Sequence, residues 1–272
     1  MVGARRYRWL MDVTEQFTVL VHGPEAALPL DEAALLIAAH AVPDLDVAAG
    51  LARLDDLAAG VREPTLDGLR RHLFDDLGFR GALGHDYDRP RSSYLHEVIQ
   101  RRIGIPITLS IVVLEVGRRL AVPLTGISMP GHFLVGDRVD PDLFLDAFAG
   151  GALLDRRGAE ARFRATHGPA APFDPAFLEP AGRRSIVERV LNNLERIATT
   201  TADRPLLTSI LRLQASLPDA GIPARRRLAA LLATTGQVVE AAQLLEAIAD
   251  ELDGPGADAA LAVAKRLRAQ LN

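Results

Sequence analysis

The sequence predicts an α+β protein: helices first, a small antiparallel sheet in the middle, and helices again to the end. Three observations carry this. From Asp31 to about Leu77, apolar residues recur at three- and four-residue spacings in "DEAALLIAAHA", "DVAAGLARLDDLAAGV" and "TLDGLRRHLFDDLGF". Between residues 124 and 148 the period shortens, and "LTGIS", "HFLVG" and "LFLDAF" are short, apolar and partly alternating, as strands are. From Ser185 onward five segments of 12 to 16 residues return to the helical period with short turns between them. The expected organisation is an N-terminal helical region over 1–77, a core over 78–182 and a C-terminal helical region over 183–272.

Taken in order, Asp31, Asp46 and Thr65 stand where N-caps are expected, since a short side-chain oxygen can accept an otherwise unpaired N–H of the first turn. The stretch "GFRGALGHDYDRPRSS" (78–93) breaks the periodicity with three glycines and a proline and reads as a loop. "YLHEVIQRR" is a short helix whose closing arginines suit the negative end of its dipole. "GIPITLSIVVLEVGRRL" (104–120) is a nearly continuous apolar helix that must be buried on most sides. Pro106 falls in its first turn, where a missing N–H costs nothing. Residues 155–182, rich in Pro, Gly and Ala, are expected to connect the sheet to the final helices.

Composition removes whole classes of chemistry. The 272 residues include no cysteine, so thiol nucleophiles, disulfides and thiolate zinc sites are all excluded. With 49% apolar residues the chain can bury a sizeable core. A net charge of −4 gives no electrostatic footprint for nucleic acid, although only Lys265 among 31 basic residues is a lysine. The basic start is interrupted by Asp12 and Glu15, and no run of 18 apolar residues occurs, so neither a leader peptide nor a membrane span is expected and the location is read as cytoplasmic.

The candidate chemistry centres on "PGHFLVGDRVDPDLFLDAFAGG" (130–151). A hairpin centred near residue 139 sets His132 opposite Asp146, close enough for the carboxylate to accept the imidazole Nδ1–H and fix its tautomer. His85, Asp86 and Asp88 are metal-ligand types, but they fall in one loop without a recognised ligand spacing, so no metal is expected. Arg101 and Arg102 suit a helix end, with Glu97 a candidate partner.

These residues carry a resemblance. "SSYLHEVIQRRIGIPITLSIVVLEVGRRLAVPLTGISMPGHFLVG", followed by "LDAFAGGALLD", resembles the transglutaminase-like domain of bacterial SirB-type proteins. The likeness extends upstream through "DLDVAAGLARLDDLA" and "LFDDLGFRGALGHDYDRPRSSYL" and on into the helical tail, which is tetratricopeptide-like in that family. The helix pair around Gly236 is similar to one such repeat. The resemblance implies a papain-like core, in which a nucleophilic cysteine stands at the start of a buried helix and a His and an Asp follow on adjacent strands. Aligned on "GIP" and "AVP", the nucleophile position falls on Pro106, which has no nucleophile.

Two hydroxyls on the same helix are the substitutes to weigh. Thr108 lies within the first turn, and Ser110 shares roughly the face of Pro106 but about 6 Å further along the axis, too far for a contact that must be near 3 Å. The leading expectation is a non-catalytic binding or regulatory module, with His132, Asp146, Ser110, Thr108 and Pro106 as vestigial site residues. The alternative is a hydrolase using Ser110 or Thr108 with His132 and Asp146, and a third possibility is metal-assisted hydrolysis from His132 and the 85–88 loop. No cofactor is expected. The expected partner is a protein or peptide engaging the helical tail or the cleft, not nucleic acid or a membrane.

Overall fold

The computed structural model of the protein describes residues 11–270, so the first ten residues of the basic start lie outside the described residues. The chain divides into two compact units, residues 23–193 and residues 1–22 together with 194–272.

The 23–193 unit is α+β. It opens with α2 (Leu30–Ala41), α3 (Val47–Ala59) and α4 (Leu66–Arg70), after α1 (Val13–Val21) of the other unit. Asp46 accepts the N–H of Ala49, and Thr65 that of Gly68, so both are caps as expected. Asp31 is not. Pro29 is the N-cap of α2, and Asp31 lies within the first turn at 1% exposure. A carboxylate so buried needs charged partners more than a backbone N–H. It has them in Arg118 and Arg119, whose NH2 and NH1 approach Asp31 Oδ2 at 3.3 and 2.8 Å. Beyond α4 the helix widens into a π-helical segment over Arg71–Asp76.

The 78–93 loop holds two short 3₁₀ turns and the two-residue strand β1 (Arg80–Gly81), which pairs in parallel with β2 (Ile103–Gly104). Between these lies α5 (Leu95–Arg101), and after them α6 (Pro106–Arg119), starting at the proline as expected. Every residue of α6 from Pro106 to Gly117 is buried, including Glu115. Glu115 is held by Arg183, by Arg118 Nε at 2.5 Å and by the Leu30 N–H at 3.2 Å.

A four-stranded antiparallel sheet follows, in the order β3 (Leu124–Ile127), β4 (Leu134–Asp137), β5 (Phe144–Asp146), β6 (Ala152–Leu154). The 155–182 stretch is more than a connector. Asp155 caps the Gly158 N–H and starts α7 (Arg156–His167), whose Ala159 and Phe163 pack with Ile127, Met129, Leu134 and Phe144. Its arginines hid this helix from the composition, because its buried stripe is only two residues wide.

After α7, helix α8 (Arg183–Thr200) leads into α9 (Arg204–Ala215), α10 (Gly221–Thr234), α11 (Val238–Asp250) and α12 (Pro255–Ala269). In the unit formed by 1–22 and 194–272, α9 packs on α10, α10 on α11 and α11 on α12, while α1 packs on α9. Its core joins Leu211, Leu228, Leu232, Leu245 and Ile248 with the small Ala241, Ala242, Ala260 and Ala264, which let the helices approach closely. Among the described residues, no helix is long and apolar enough to cross a membrane.

Candidate functional site

The turn before β4 delivers His132. Gly131 has φ of 69°, and a Cβ there would meet His167 Cε1 at 2.7 Å and Thr166 Cγ2 at 2.9 Å, so both backbone and space demand glycine. The His132 N–H donates to the Met129 carbonyl at 3.1 Å, closing the turn. Arg189 clamps it from α8, donating to Ser128 Oγ at 2.7 Å and to the His132 carbonyl at 2.9 Å, with its guanidinium 5.7 Å from the Phe133 ring centre. Burial pulls the Arg189 guanidinium below its ordinary pKa, a shift that nearby Tyr87 partly opposes.

Asp146 ends β5 and is fully buried. Its Oδ1 accepts the N–H groups of Phe148 at 3.1 Å and Ala149 at 3.0 Å, forming the turn into β6. His132 Nε2 stands 3.0 Å from that same Oδ1, and Arg162 Nε of α7 stands 2.8 Å from Oδ2. In neither contact does the N–H point along the line to oxygen, so neither is an aligned hydrogen bond. Burial alone pushes the Asp146 carboxyl up, but the His132 imidazole, the Ala149 N–H and the Arg162 guanidinium outweigh it and hold the carboxyl below its ordinary value.

The structure thus brings His132 and Asp146 together, but not by the expected register. Strand β4 pairs Val135 with Leu145 and Gly136 with Phe144, which places Leu134 rather than His132 opposite Asp146. The long loop between β4 and β5 moves the hairpin centre, and His132 reaches Asp146 diagonally from the turn before the strand. The nitrogen that faces the carboxylate is Nε2 and not Nδ1. The His132 ring also meets Phe148 edge to face at 6.0 Å, and Phe148 meets Tyr87 in the same way at 5.8 Å.

The other candidates stay at α6. Pro106 is its buried first residue. Thr108 Oγ1 donates to the Ser92 carbonyl at 2.8 Å and accepts the Ile105 N–H at 3.2 Å, half of a capping box, so this hydroxyl ties the helix start to the 90–93 turn. Ser110 is 0% exposed, and its Oγ has no hydrogen-bond partner among the described residues.

In the 85–88 loop, Arg91 and Arg101 take the two oxygens of Asp86, Arg91 foremost, and hold its carboxyl below the ordinary range. Arg101 therefore reaches across to Asp86, while Arg102 NH1 donates to the Leu77 carbonyl. Among the described residues no group of three or more His, Cys, Asp or Glu side chains could hold a metal ion. Arg162 and Arg189 were not legible as site residues. Neither belongs to a motif, and only the packing of α7 and α8 brings them to the turn.

Comparison with known proteins agrees with this architecture. The profile of the transglutaminase-like superfamily matches residues 39–192. A UPF0162 protein of Xylella fastidiosa is 40% identical over 220 residues, covering 72% of this chain and 75% of that protein. A UPF0162 protein of Pseudomonas aeruginosa is 34% identical over 185 residues, covering 64% and 66%. Mouse F-box only protein 21 is 35% identical over 109 residues, which is 37% of this chain and 17% of that protein. No solved structure matches the chain significantly. A buried helix followed by an antiparallel sheet bearing His132 and Asp146, a superfamily profile over more than half the chain and relatives matched along most of their length converge: the chain belongs to the transglutaminase-like superfamily and, within it, to the UPF0162 family.

Proposed function

We propose that the protein is a non-catalytic member of this superfamily, of the bacterial SirB type, that acts in the cytoplasm as a binding or regulatory module for a protein or peptide partner. One observation carries the reading: α6 begins with a buried proline where the superfamily's thiol would stand, and the chain has no cysteine anywhere to replace it. The nearby hydroxyls do not fill the gap. Thr108 is engaged by two backbone groups, and Ser110 is sealed from any substrate. His132 turns Nε2 to a carboxylate that is equally a turn-forming residue, which gives the pair a structural role without any reaction. The consecutive packing of α9 to α12 supports a tetratricopeptide-like tail, an architecture that presents peptide-binding surfaces.

The test is turnover of the purified full chain on glutamine-containing peptides, on esters and with amine acceptors. No turnover above buffer is expected. Turnover that disappears in Ser110→Ala and in His132→Ala would establish the hydrolase instead.

A further inference from the structure

A cleft of about 640 Å³ opens in the 23–193 unit between α3 and α5, and none of His132, Asp146, Arg162 or Arg189 lines it. Its volume suits a small ligand. Leu45, Leu57, Leu77 and Ile99 give it apolar walls that are only partly covered. At one end, Gly60 and His72 are shared with a second cleft of about 270 Å³. This junction is built with little tolerance: a Cβ on Gly60 would stand 2.6 Å from both Cε1 and Nε2 of His72. The π-helical segment Arg71–Asp76 carries His72, and such widened turns recur at functional sites.

The charges in the cleft are the informative part. Arg53 and Asp56 line it three residues apart on α3, a spacing at which helix side chains meet. Neither has an ion-pair partner among the described residues. Nearby, Arg70 pairs with Asp67 and Asp75, Arg71 with Glu63 and Asp67, and Arg119 with Asp55. Formal charge in the cleft balances, with Arg53 and Arg102 against Asp46 and Asp56, so a polyanion gains nothing there. His96 adds a neutral hydrogen-bonding ring: burial lowers its pKa, and its Nδ1 has no partner among the described residues.

We propose that this cleft binds a short apolar peptide by its free ends, with Arg53 taking the carboxylate, Asp56 the ammonium, and the aliphatic side chains lying on Leu57, Leu77 and Ile99. A dipeptide spans about 7 Å, which matches opposite charges carried one helical turn apart on side chains of unequal length. The site is separate from His132 and Asp146, so its failure would leave the non-catalytic reading standing, and the reverse.

The experiment is calorimetric titration of the full chain with leucyl-leucine. Binding is expected. It should weaken about fivefold in Arg53→Gln and again in Asp56→Asn, the size of one rim ion pair. It should vanish in Ala49→Trp, which fills the cleft. The acetylated, amidated dipeptide, which lacks both end charges, should bind about 25-fold more weakly. All three cleft positions are exposed, so the variants should fold, which circular dichroism checks. Absence of binding to the wild-type chain, binding that survives Ala49→Trp, or octanoate binding as tightly as leucyl-leucine would each overturn the proposal.

Discussion

The start of α6 and the turn that ends β5 belong to one compact unit, yet they treat their polar groups in opposite ways. At α6 the polar atoms look inward to the backbone. Thr108 closes on Ser92 and Ile105, Pro106 offers no donor, and Ser110 is sealed in the helix. At Asp146, a fully buried carboxylate gathers two N–H groups, an imidazole and a guanidinium. On the helix side the two hydroxyls are engaged by the backbone or sealed from solvent, whereas the strand side gathers its charged groups around one carboxylate. Asp146 makes the turn into β6, and His132 sits where that turn and the Pro130–Gly131 turn meet.

If the strand side is kept for structure, breaking it must damage the fold. Asp146→Ala leaves Arg162 without its charge partner and two turn N–H groups without their acceptor, and should cost about 3–5 kcal/mol in urea unfolding. Asp146→Asn keeps an acceptor for the turn and should cost less. Equal loss in the two variants would show that charge, and not turn geometry, is what the fold needs from this residue.

Gly131→Ala probes the other turn. It forces a side chain into left-handed backbone and against His167 and Thr166, so a loss of about 1–2 kcal/mol or more is expected from the conformational term alone. Unchanged stability would mean that the turn delivering His132 is not fixed.

On the helix side, Thr108→Val removes one hydrogen bond to Ser92 and half a cap, for an expected loss of about 1–2 kcal/mol in the same assay. A stable Thr108→Val chain that also lost a catalytic activity would reverse the comparison.

The smallest effect is on pH. The folded pKa of Asp146 lies below the unfolded value near 3.9, so its contribution is present above about pH 4 and is lost as pH falls through the folded pKa. Wild type should therefore lose more stability than Asp146→Asn between pH 5 and pH 2, a difference read from paired urea titrations at about half-unit steps.

The legible parts of the fold were those where period and punctuation agree. The start of α6 at Pro106, the caps at Asp46 and Thr65 and the antiparallel sheet all rest on local signals strong enough to survive tertiary packing. What escaped depends on partners far away in sequence. Asp31 reads as a cap but is captured by Arg118 and Arg119, and α7 buries too narrow a stripe to stand out from its arginines. At the site, the proximity of His132 and Asp146 followed from their spacing around a hairpin. The diagonal geometry, the choice of Nε2 and the presence of Arg162 and Arg189 did not, because loop length and helix packing decide them.

The most direct test puts back the missing atom. In Pro106→Cys, the rate of alkylation by iodoacetamide against pH gives the thiol pKa at the start of α6. If Pro106 occupies the nucleophile position, on a helix terminus that stabilises a thiolate, the titration should fall well below about 8.5. A thiol that titrates at or above that value would contradict the proposal that Pro106 occupies the nucleophile position, and with it the non-catalytic reading.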